Sequence, residues 1–350
     1  MQSDGIVSIV NLAFYFLEGI LEMGKGTEFR RLLKEQPYVF TSGIYTPIQA
    51  KIAEMVGLKC VYMSGYSCAV GYLGRADLGF PTMTEMSGWA RTITEVTDLP
   101  VIADADDGYG NSLIAMRTIE HFERTGVAGI HIEDQRFPKR CGHLAGKYCL
   151  PMEESVKKIE AVVAARSDPE FVIIARTDAI SAVGGGMDEA IERSKRYADV
   201  GADLVWPEFP TPSRKDAEVF AEEFTKSFPN VPMAFNYSSS FKWIDVDNPM
   251  TFKELGSMGY KFIFITLGAI HAAMYSEYNF LKDLVENEEG AQFRLQTMKD
   301  GHPTENHHVM GRFEDFQKLE QKYLGQDMVK ERYSSTKGFG AHDFKEVGVL

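Results

Sequence analysis

The chain has 350 residues, of which 44% are apolar, so it is long enough to bury the core of a large domain. Its formal net charge is −13 at pH 7, and its isoelectric point is near 5.2. Because so acidic a protein repels phosphate-rich surfaces, we predict neither a nucleic-acid partner nor a membrane partner. An anionic substrate would have to be captured by local cations or by a metal ion.

Eight short apolar runs, rich in β-branched residues, are predicted as strands. They are residues 38–44, 59–66, 100–106, 128–135, 171–178, 202–208, 232–238 and 262–268. The segments between them are long enough for crossover helices and too long for hairpins. Helical spacing predicts helices over 28–35, 47–57, 84–97, 112–125, 152–166, 188–200, 214–228 and 249–258. The sequence therefore predicts an α/β fold, a (β/α)8 TIM-type barrel, with its functional residues where strands end and βα loops begin.

Both ends of the chain extend beyond the predicted barrel. Residues 6–21 form a mainly apolar stretch that is too short, and contains too many polar residues, to be a typical membrane span. Residues 1–22 are therefore treated as an extension of uncertain status. An additional helix or a start artefact before Met23 is favoured there over an export signal. Helical patterns over 269–286, 291–299 and 312–324 exceed what one barrel needs, and they could pack against a neighbouring subunit. We assign residues 23–270 to the catalytic barrel and 271–350 to a C-terminal helical region.

Acidic residues gather at the ends of the predicted strands. Asp104 and Asp106 end the third strand, Glu133 ends the fourth, and Asp77 lies in the loop after the second. Hard oxygen ligands of this kind suit Mg²⁺, with Mn²⁺ as the alternative ion. The competing interpretation is a set of solvated loop acids and helix caps. The supply of acids from several strand ends favours the metal site.

A loop with an unusual set of reactive groups follows the fourth predicted strand. We name residues 136–151 the cysteine loop, because its Lys-Arg-Cys-Gly-His run at 139–143 contains Cys141. Two cations and an imidazole favour the thiolate of Cys141, which could act as a nucleophile or as a proton carrier. The alternative is a basic surface patch with an incidental cysteine. No CxxC pair or dense cysteine framework is present, so we predict a reducing, cytoplasmic compartment.

Two further strand ends offer groups that could bind an anion. Arg176 ends the fifth strand, where a buried arginine needs an anion and can hold a carboxylate through two parallel hydrogen bonds. Asn236, Ser238 and Ser240 alternate after the seventh strand and point the same way if extended. With Thr266 at the end of the eighth strand they form a neutral donor cluster. Ordinary turn chemistry is the alternative explanation for all four residues.

These motifs together resemble the isocitrate lyase and phosphoenolpyruvate mutase superfamily, from about residue 40 to about residue 276. The cysteine loop, the Asp104/Asp106 strand end and the segments 131–135 and 175–178 carry the resemblance. Within the superfamily, segments 64–66, 206–208, 236–243 and 264–267 are similar to isocitrate lyases, specifically the short forms. The resemblance implies a carbon–carbon lyase of the glyoxylate cycle that cleaves isocitrate reversibly to glyoxylate and succinate with Mg²⁺. It also implies a homotetramer whose subunits exchange their C-terminal helices.

The same resemblance implies roles for individual residues. The implied metal ligands, direct or through water, are Asp77, Asp104, Asp106 and Glu133. The residues implied to bind the tricarboxylate substrate are Ser64, Gly65, Tyr66, Gly142, Arg176, Asn236, Ser238, Ser240 and Thr266. Cys141 would deliver a proton to the succinate carbanion, with His143 beside it, and Glu208 is the first candidate base for the substrate hydroxyl. The cysteine loop would act as a lid that keeps water from the carbanion.

Two alternatives stay open at this point. A 2-methylisocitrate lyase, which yields pyruvate and succinate, shares the cysteine motif, and one methyl group changes pocket discrimination by only ~1–3 kcal/mol. A catalytically silent barrel of the same superfamily would serve as a binding module. The presence of Asp104, Glu133, Cys141 and Arg176 argues against the silent barrel.

Overall fold

A computed structural model describes residues 24–334 of the chain. Eight parallel strands close into a barrel in chain order, and the first strand pairs with the last. The strands are β1 (Val39–Ile44), β2 (Val61–Met63), β3 (Val101–Asp104), β4 (Gly129–Glu133), β5 (Val172–Thr177), β6 (Leu204–Pro207), β7 (Met233–Asn236) and β8 (Tyr260–Ile265). The predicted (β/α)8 fold is confirmed.

Helices precede, connect and follow the strands. They are α1 (Lys25–Glu35), α2 (Pro47–Met55), α3 (Gly65–Leu73), α4 (Met83–Thr94), α5 (Ser112–Glu123), α6 (Met152–Ala165), α7 (Met187–Asp199), α8 (Arg214–Thr225), α9 (Phe252–Met258), α10 (Gly268–Asn287), α11 (Glu289–Lys299), α12 (His307–Met310), α13 (Phe313–Tyr323) and α14 (Gln326–Tyr333). The predicted crossover helices are confirmed, whereas α3, α12 and α14 were not predicted. Strand two was predicted to run to residue 66, but it ends at Met63 because the Ser64 hydroxyl accepts a hydrogen bond from the Ser67 amide and caps α3.

Aromatic side chains fill the inside of the barrel. Tyr62 stacks on Phe264 with ring centroids 4.6 Å apart, and Trp206 meets Phe264 edge to face at 4.8 Å. Phe29 of α1 is fully buried and packs edge to face against Phe262 at 5.1 Å. Inward and outward residues alternate along each strand, so the outward set packs against the helices in a second core. The inner aromatic layer forms the floor on which the polar residues of the strand ends lie.

Parallel register places the polar ends of neighbouring strands side by side. Asp104 of β3 lies opposite His131 of β4, and Glu133 of β4 lies opposite Arg176 of β5. Arg176 in turn lies opposite Trp206 of β6. One edge of the barrel therefore gathers acids and cations from consecutive strands, as predicted from the sequence.

The chain divides into two compact units with the boundary between Tyr275 and Ser276. The first unit contains the barrel, and the second contains most of α10 and the helices that follow it. Among residues 24–334, no helix is long and apolar enough to cross a membrane. The N-terminal extension predicted at residues 1–22 lies outside the described residues.

Candidate active site

The Asp104 carboxylate lies at the centre of the site and is held from several sides. Its Oδ2 atom accepts hydrogen bonds from the Gly65 amide at 2.9 Å and from the Tyr62 hydroxyl at 3.3 Å. Its Oδ1 atom accepts from the Asp106 amide at 2.9 Å and lies 3.1 Å from His131 Nε2. Burial raises the pKa of Asp104, but the nearby His131 imidazole and a buried lysine ammonium outweigh it and hold that pKa well below its usual value. Asp104 is therefore a charged, fixed carboxylate.

The turn after β2 supports this carboxylate rather than opening into the cavity. A Cβ atom on Gly65 would lie 2.5 Å from Asp104 Oδ2, so only glycine allows the amide to approach so closely. Ser64 is fully buried and its hydroxyl caps α3. Tyr62 also contacts His131, with 2.8 Å between its hydroxyl and Nε2. Ser64 and Gly65 were predicted to bind substrate, but Ser64 caps α3, Gly65 holds Asp104, and neither lines the cavity described below.

A buried lysine of the cysteine loop lies between two of the predicted metal ligands. Lys139 Nζ is 2.6 Å from Asp77 Oδ1 and 2.5 Å from Asp106 Oδ1. Burial and the carboxylates of Asp104 and Asp77 raise the pKa of Asp106 to about 7, although Lys139 opposes the shift. The sequence analysis considered Lys139 only as a neighbour of Cys141, and the structure shows that it forms ion pairs with two carboxylates of the acidic cluster.

The acidic cluster has the donor chemistry of a divalent cation site. Glu133 is buried, and its Oε1 atom has no hydrogen-bond partner within residues 24–334. Burial raises the pKa of Glu133 well above its usual value. Three or more ligating side chains do not converge on one point anywhere in the described range, and Lys139 lies between Asp77 and Asp106. The surplus of carboxylates over cations still fits a hydrated Mg²⁺ or Mn²⁺, which uses few protein ligands and keeps several waters.

The Arg176 guanidinium is already paired with Asp178, which follows the end of the same strand. Its Nε and Nη2 atoms each donate to the Asp178 carboxylate at 3.0 Å, and its guanidinium lies 4.5 Å above the centre of the Trp206 ring. The two parallel hydrogen bonds predicted for a substrate carboxylate are made to Asp178 instead. The Nη1 atom lies 3.5 Å from Glu133 Oε2. Gly142 lies directly above, where any Cβ atom would overlap the guanidinium.

The cysteine loop is seated over the mouth of the barrel. The Gln135 side-chain amide donates to the Arg140 carbonyl at 2.8 Å and accepts from the Arg140 amide at 2.9 Å. The Cys141 amide donates to the Asp77 carbonyl at 3.0 Å. Cys141 itself is half-buried and is one of the residues that line the cavity described below.

A chain of polar contacts runs from Cys141 across the site. His143 Nε2 forms an ion pair with Glu208 Oε1 at 2.9 Å. Asn236 donates to the same oxygen at 3.1 Å, and Thr266 donates to the Asn236 carbonyl oxygen at 2.7 Å. Burial lowers the pKa of His143, but the Glu208 carboxylate and the Cys141 side chain outweigh it and raise the pKa to about 9. His143 is therefore an imidazolium at neutral pH.

Most of the predicted site residues line one cavity. Those that do are Tyr66, Asp77, Asp104, Cys141, Gly142, His143, Arg176, Glu208, Asn236, Ser238, Ser240 and Thr266. Tyr62, Lys139, Trp206 and Leu267 line it as well, although the sequence analysis assigned none of these four a binding or catalytic role. The alternation of inward and outward residues along the strands places Tyr62 and Trp206 inside the barrel. The same alternation is expected of ordinary core residues, so it did not mark these two as site residues. The cavity volume is about 30 Å³, far below the roughly 300–1,000 Å³ of ordinary ligand pockets.

Comparison with known proteins decides the family. The sequence matches the family described as phosphoenolpyruvate phosphomutase over residues 29–284. It is 44% identical to an isocitrate lyase of Haloferax volcanii over 315 residues, which cover 90% of this chain and 91% of that one. The chain belongs to the isocitrate lyase and phosphoenolpyruvate mutase superfamily. Superfamily membership confirms the resemblance carried by the sequence motifs.

Other relatives within the superfamily act on related acids. A 2-methylisocitrate lyase of Aeropyrum pernix is 36% identical and aligns with 75% of this chain and 80% of its own. A structure of oxaloacetate acetylhydrolase with the inhibitor 3,3-difluorooxalacetate has a TM-score of 0.74 and 29% identity. That alignment covers 87% of this chain and 98% of the other. The named lyases among these superfamily members support an enzyme that cleaves carbon–carbon bonds.

The contact between His143 and Glu208 makes a testable prediction about charge. Glu208→Gln removes the carboxylate that holds the proton, so the pKa of His143 should fall from about 9 to its ordinary value of 6.5 or below. In the parent protein the protonated imidazole stabilises the fold below pH 6.5, and this contribution is lost as the pH rises through about 9. An NMR titration of labelled imidazole measures both values. Glu218→Gln on the surface of α8 is the control, and an unshifted His143 in Glu208→Gln would refute the assignment.

Proposed function

We propose that this superfamily member is an isocitrate lyase that cleaves isocitrate reversibly to glyoxylate and succinate in a Mg²⁺-dependent retro-aldol reaction. The observation that carries the proposal is one cavity lined by the Cys141–His143 pair, the Asp104 carboxylate and the Arg176 guanidinium. A retro-aldol cleavage needs an acid for the nascent carbanion and fixed charges for the oxo-acid half. The relative from Haloferax volcanii, which is named isocitrate lyase, supports the choice of substrate.

The acidic cluster would hold the metal ion. Asp104, with Asp77, Asp106 and Glu133 directly or through water, provides hard oxygen donors. When bound, Mg²⁺ supplies positive charge for the hydroxyl and carboxylate oxygens of the glyoxylate half. Mn²⁺ is the alternative ion. Tyr66 and the Arg176 guanidinium, whose Nη1 atom lies 3.5 Å from Glu133 Oε2, would orient the glyoxylate carboxylate. The donors Asn236, Ser238, Ser240 and Thr266 would orient the succinate half.

Proton transfer is assigned to residues that already contact one another. As the carbon–carbon bond breaks, its electron pair stays on the succinate half as an enediolate-like carbanion. The Cys141 thiol gives its proton to that carbon and becomes a thiolate, which the His143 imidazolium stabilises. The hydroxyl proton of isocitrate needs a separate acceptor. Glu208 remains our candidate, because it lines the cavity and its Oε2 atom has no hydrogen-bond partner among residues 24–334.

The cysteine loop would act as a lid. A cavity of about 30 Å³ cannot admit a tricarboxylate, so the loop must lift for substrate to enter. In the closed arrangement, the backbone contact of Cys141 with Asp77 places the thiol next to the acidic cluster. A closed lid excludes water and so protects the carbanion from unselective protonation.

Assembly and location form a further part of the proposal. The second compact unit exposes apolar side chains of α10, including Tyr278, Leu281 and Val285. We propose a cytoplasmic homotetramer in which C-terminal helices of neighbouring subunits exchange and cover such residues. Within the cell, glyoxylate production would place the enzyme in the glyoxylate cycle.

The second candidate function is cleavage of 2-methylisocitrate to pyruvate and succinate, favoured by the 36% identity to the enzyme from Aeropyrum pernix. A kinetic comparison separates the two. We expect isocitrate to release glyoxylate, trapped as its phenylhydrazone, with a higher kcat/KM than that for pyruvate release from 2-methylisocitrate. Chelation should silence both reactions reversibly, and Mg²⁺ should restore them. A preference for 2-methylisocitrate would move the proposal to that enzyme, and no cleavage of either substrate would favour the silent barrel.

The role of the thiol is tested by Cys141→Ser. A serine hydroxyl is a far weaker acid than a thiol, so turnover should fall by about 10²–10⁴-fold, the usual contribution of a positioned acid. Cys149→Ser is the matched control, because that half-buried thiol only donates to Asp134 at 3.3 Å and a hydroxyl can replace it. Rates come from glyoxylate trapping, and folding is checked by circular dichroism. Near-parental turnover in Cys141→Ser would remove the thiol from the mechanism.

A further inference from the structure

A second lysine of the cysteine loop is buried without a role in the chemistry described above. Lys147 has a fully buried side chain, although its neighbours Gly146 and Tyr148 are exposed. Its ammonium lies 2.9 Å from Asp178 Oδ1 and also donates to the Gly142 carbonyl. Lysine is almost never fully buried unless it is paired, since the uncompensated charge is costly. The contact therefore ties the loop to the end of β5.

Asp178, the partner of Lys147, is also paired with Arg176. Asp178 accepts two parallel hydrogen bonds from Arg176, and Lys147 contacts the Oδ1 atom that one of them uses. Asp178 and Lys147 are fully buried, and Arg176 is nearly so. One carboxylate thus faces two cations, and the only other acid within ion-pair distance of either cation among residues 24–334 is Glu133, whose Oε2 atom lies 3.5 Å from Arg176 Nη1. Burial strengthens the attraction of two such cations for a further anion placed next to them.

The other contact of Lys147 reaches the reactive part of the loop. Gly142 separates Cys141 from His143, and its carbonyl accepts from the ammonium. Gly142 also lies on the guanidinium of Arg176, where no Cβ atom fits. A line of direct contacts therefore runs from Arg176 through Asp178 and Lys147 to the backbone between the thiol and the imidazole.

We propose that Lys147 is a positioning residue that latches the cysteine loop closed and links closure to the binding of a carboxylate at Arg176. Opening the loop withdraws the ammonium and leaves Asp178 paired with Arg176 alone. Closing it adds a second cation next to Asp178, and this cation attracts a substrate carboxylate bound beside Arg176. Anionic substrate therefore favours the closed loop, and the closed loop favours the substrate. The substrate side of this link depends on the proposed function, whereas the latch itself does not.

The experiment uses the full chain with Lys147→Ala. The rate of Cys141 alkylation by iodoacetamide, located by peptide fragmentation, reports loop opening, and succinate serves as the carboxylate ligand. We expect the alkylation rate to rise about tenfold or more, as for loss of a charge-assisted hydrogen bond, and protection by succinate to weaken. The kcat for isocitrate should fall about 100-fold through misplacement of the thiol. Mn²⁺ affinity, read by electron paramagnetic resonance, should not change, because Lys147 contacts none of the metal carboxylates.

Chemical rescue distinguishes a latch from general damage to the fold. In Lys147→Ala, ethylammonium or propylammonium should restore both kcat and the shielding of Cys141 from alkylation. Tetramethylammonium, which has no N–H donor, should restore neither. Lys158→Ala is the matched control, because this buried lysine of α6 donates to the Asp107 carbonyl at 2.9 Å and does not belong to the loop. Cys141 shielding should be unchanged there. Should Lys147→Ala fail to fold, Lys147→Met retains the apolar stem and carries the same expectations except rescue.

The outcomes separate the latch from the proposed function. Unchanged Cys141 shielding in the Lys147 variants overturns the latch, whatever happens to turnover. Rapid alkylation without a fall in kcat overturns its positioning role. If the parent protein fails to cleave isocitrate while the variants still expose Cys141, the proposed function fails and the latch stands.

Discussion

Pairing of buried charge is the constraint on which the rest of this site depends. Five acidic residues are buried at this end of the barrel: Asp77, Asp104, Asp106, Glu133 and Asp178. A buried charge without a partner lowers the free energy of unfolding by roughly several kcal/mol. Two of the balancing cations, Lys139 and Lys147, come from the cysteine loop rather than from the barrel. The loop is therefore part of the electrostatic structure of the site, and the closed arrangement places acids and ammonium groups in mutual contact. Lifting the loop separates these charges, which water can then solvate.

The same loop carries the two groups proposed to react, so loop closure would also assemble the proposed chemistry. Cys141 and His143 lie between the two loop lysines, and the Cys141 amide binds the Asp77 carbonyl next to the acidic cluster. Glu208 keeps His143 protonated, and the imidazolium is then available to stabilise a thiolate. A site assembled in this way suits a reaction whose intermediate must not meet bulk water.

The sequence alone was sufficient to predict the barrel and most of the residues that line the cavity. Apolar runs gave the eight strands, and because parallel strands end at one edge, Asp104, Arg176 and Asn236 could be placed together in advance. The predicted strand over 59–66 overran because a short apolar run does not distinguish a strand from a buried helix. Arg176 pairs with Asp178, which strand periodicity does not reveal. Lys139 and Lys147 are buried because the cysteine loop lies over the barrel end. The sequence pattern around each lysine therefore did not indicate that it pairs with buried carboxylates.

The central claim is that a positioned acid in a closed cavity quenches the carbanion on the succinate half. Cleavage of isocitrate in D₂O tests it directly, because the exchangeable Cys141 thiol then carries deuterium. The account predicts succinate with one deuterium in a single configuration, measured by mass spectrometry and by the optical activity of the labelled product. Equal amounts of the two configurations would mean that the carbanion takes its proton from free solvent, and the account would be contradicted.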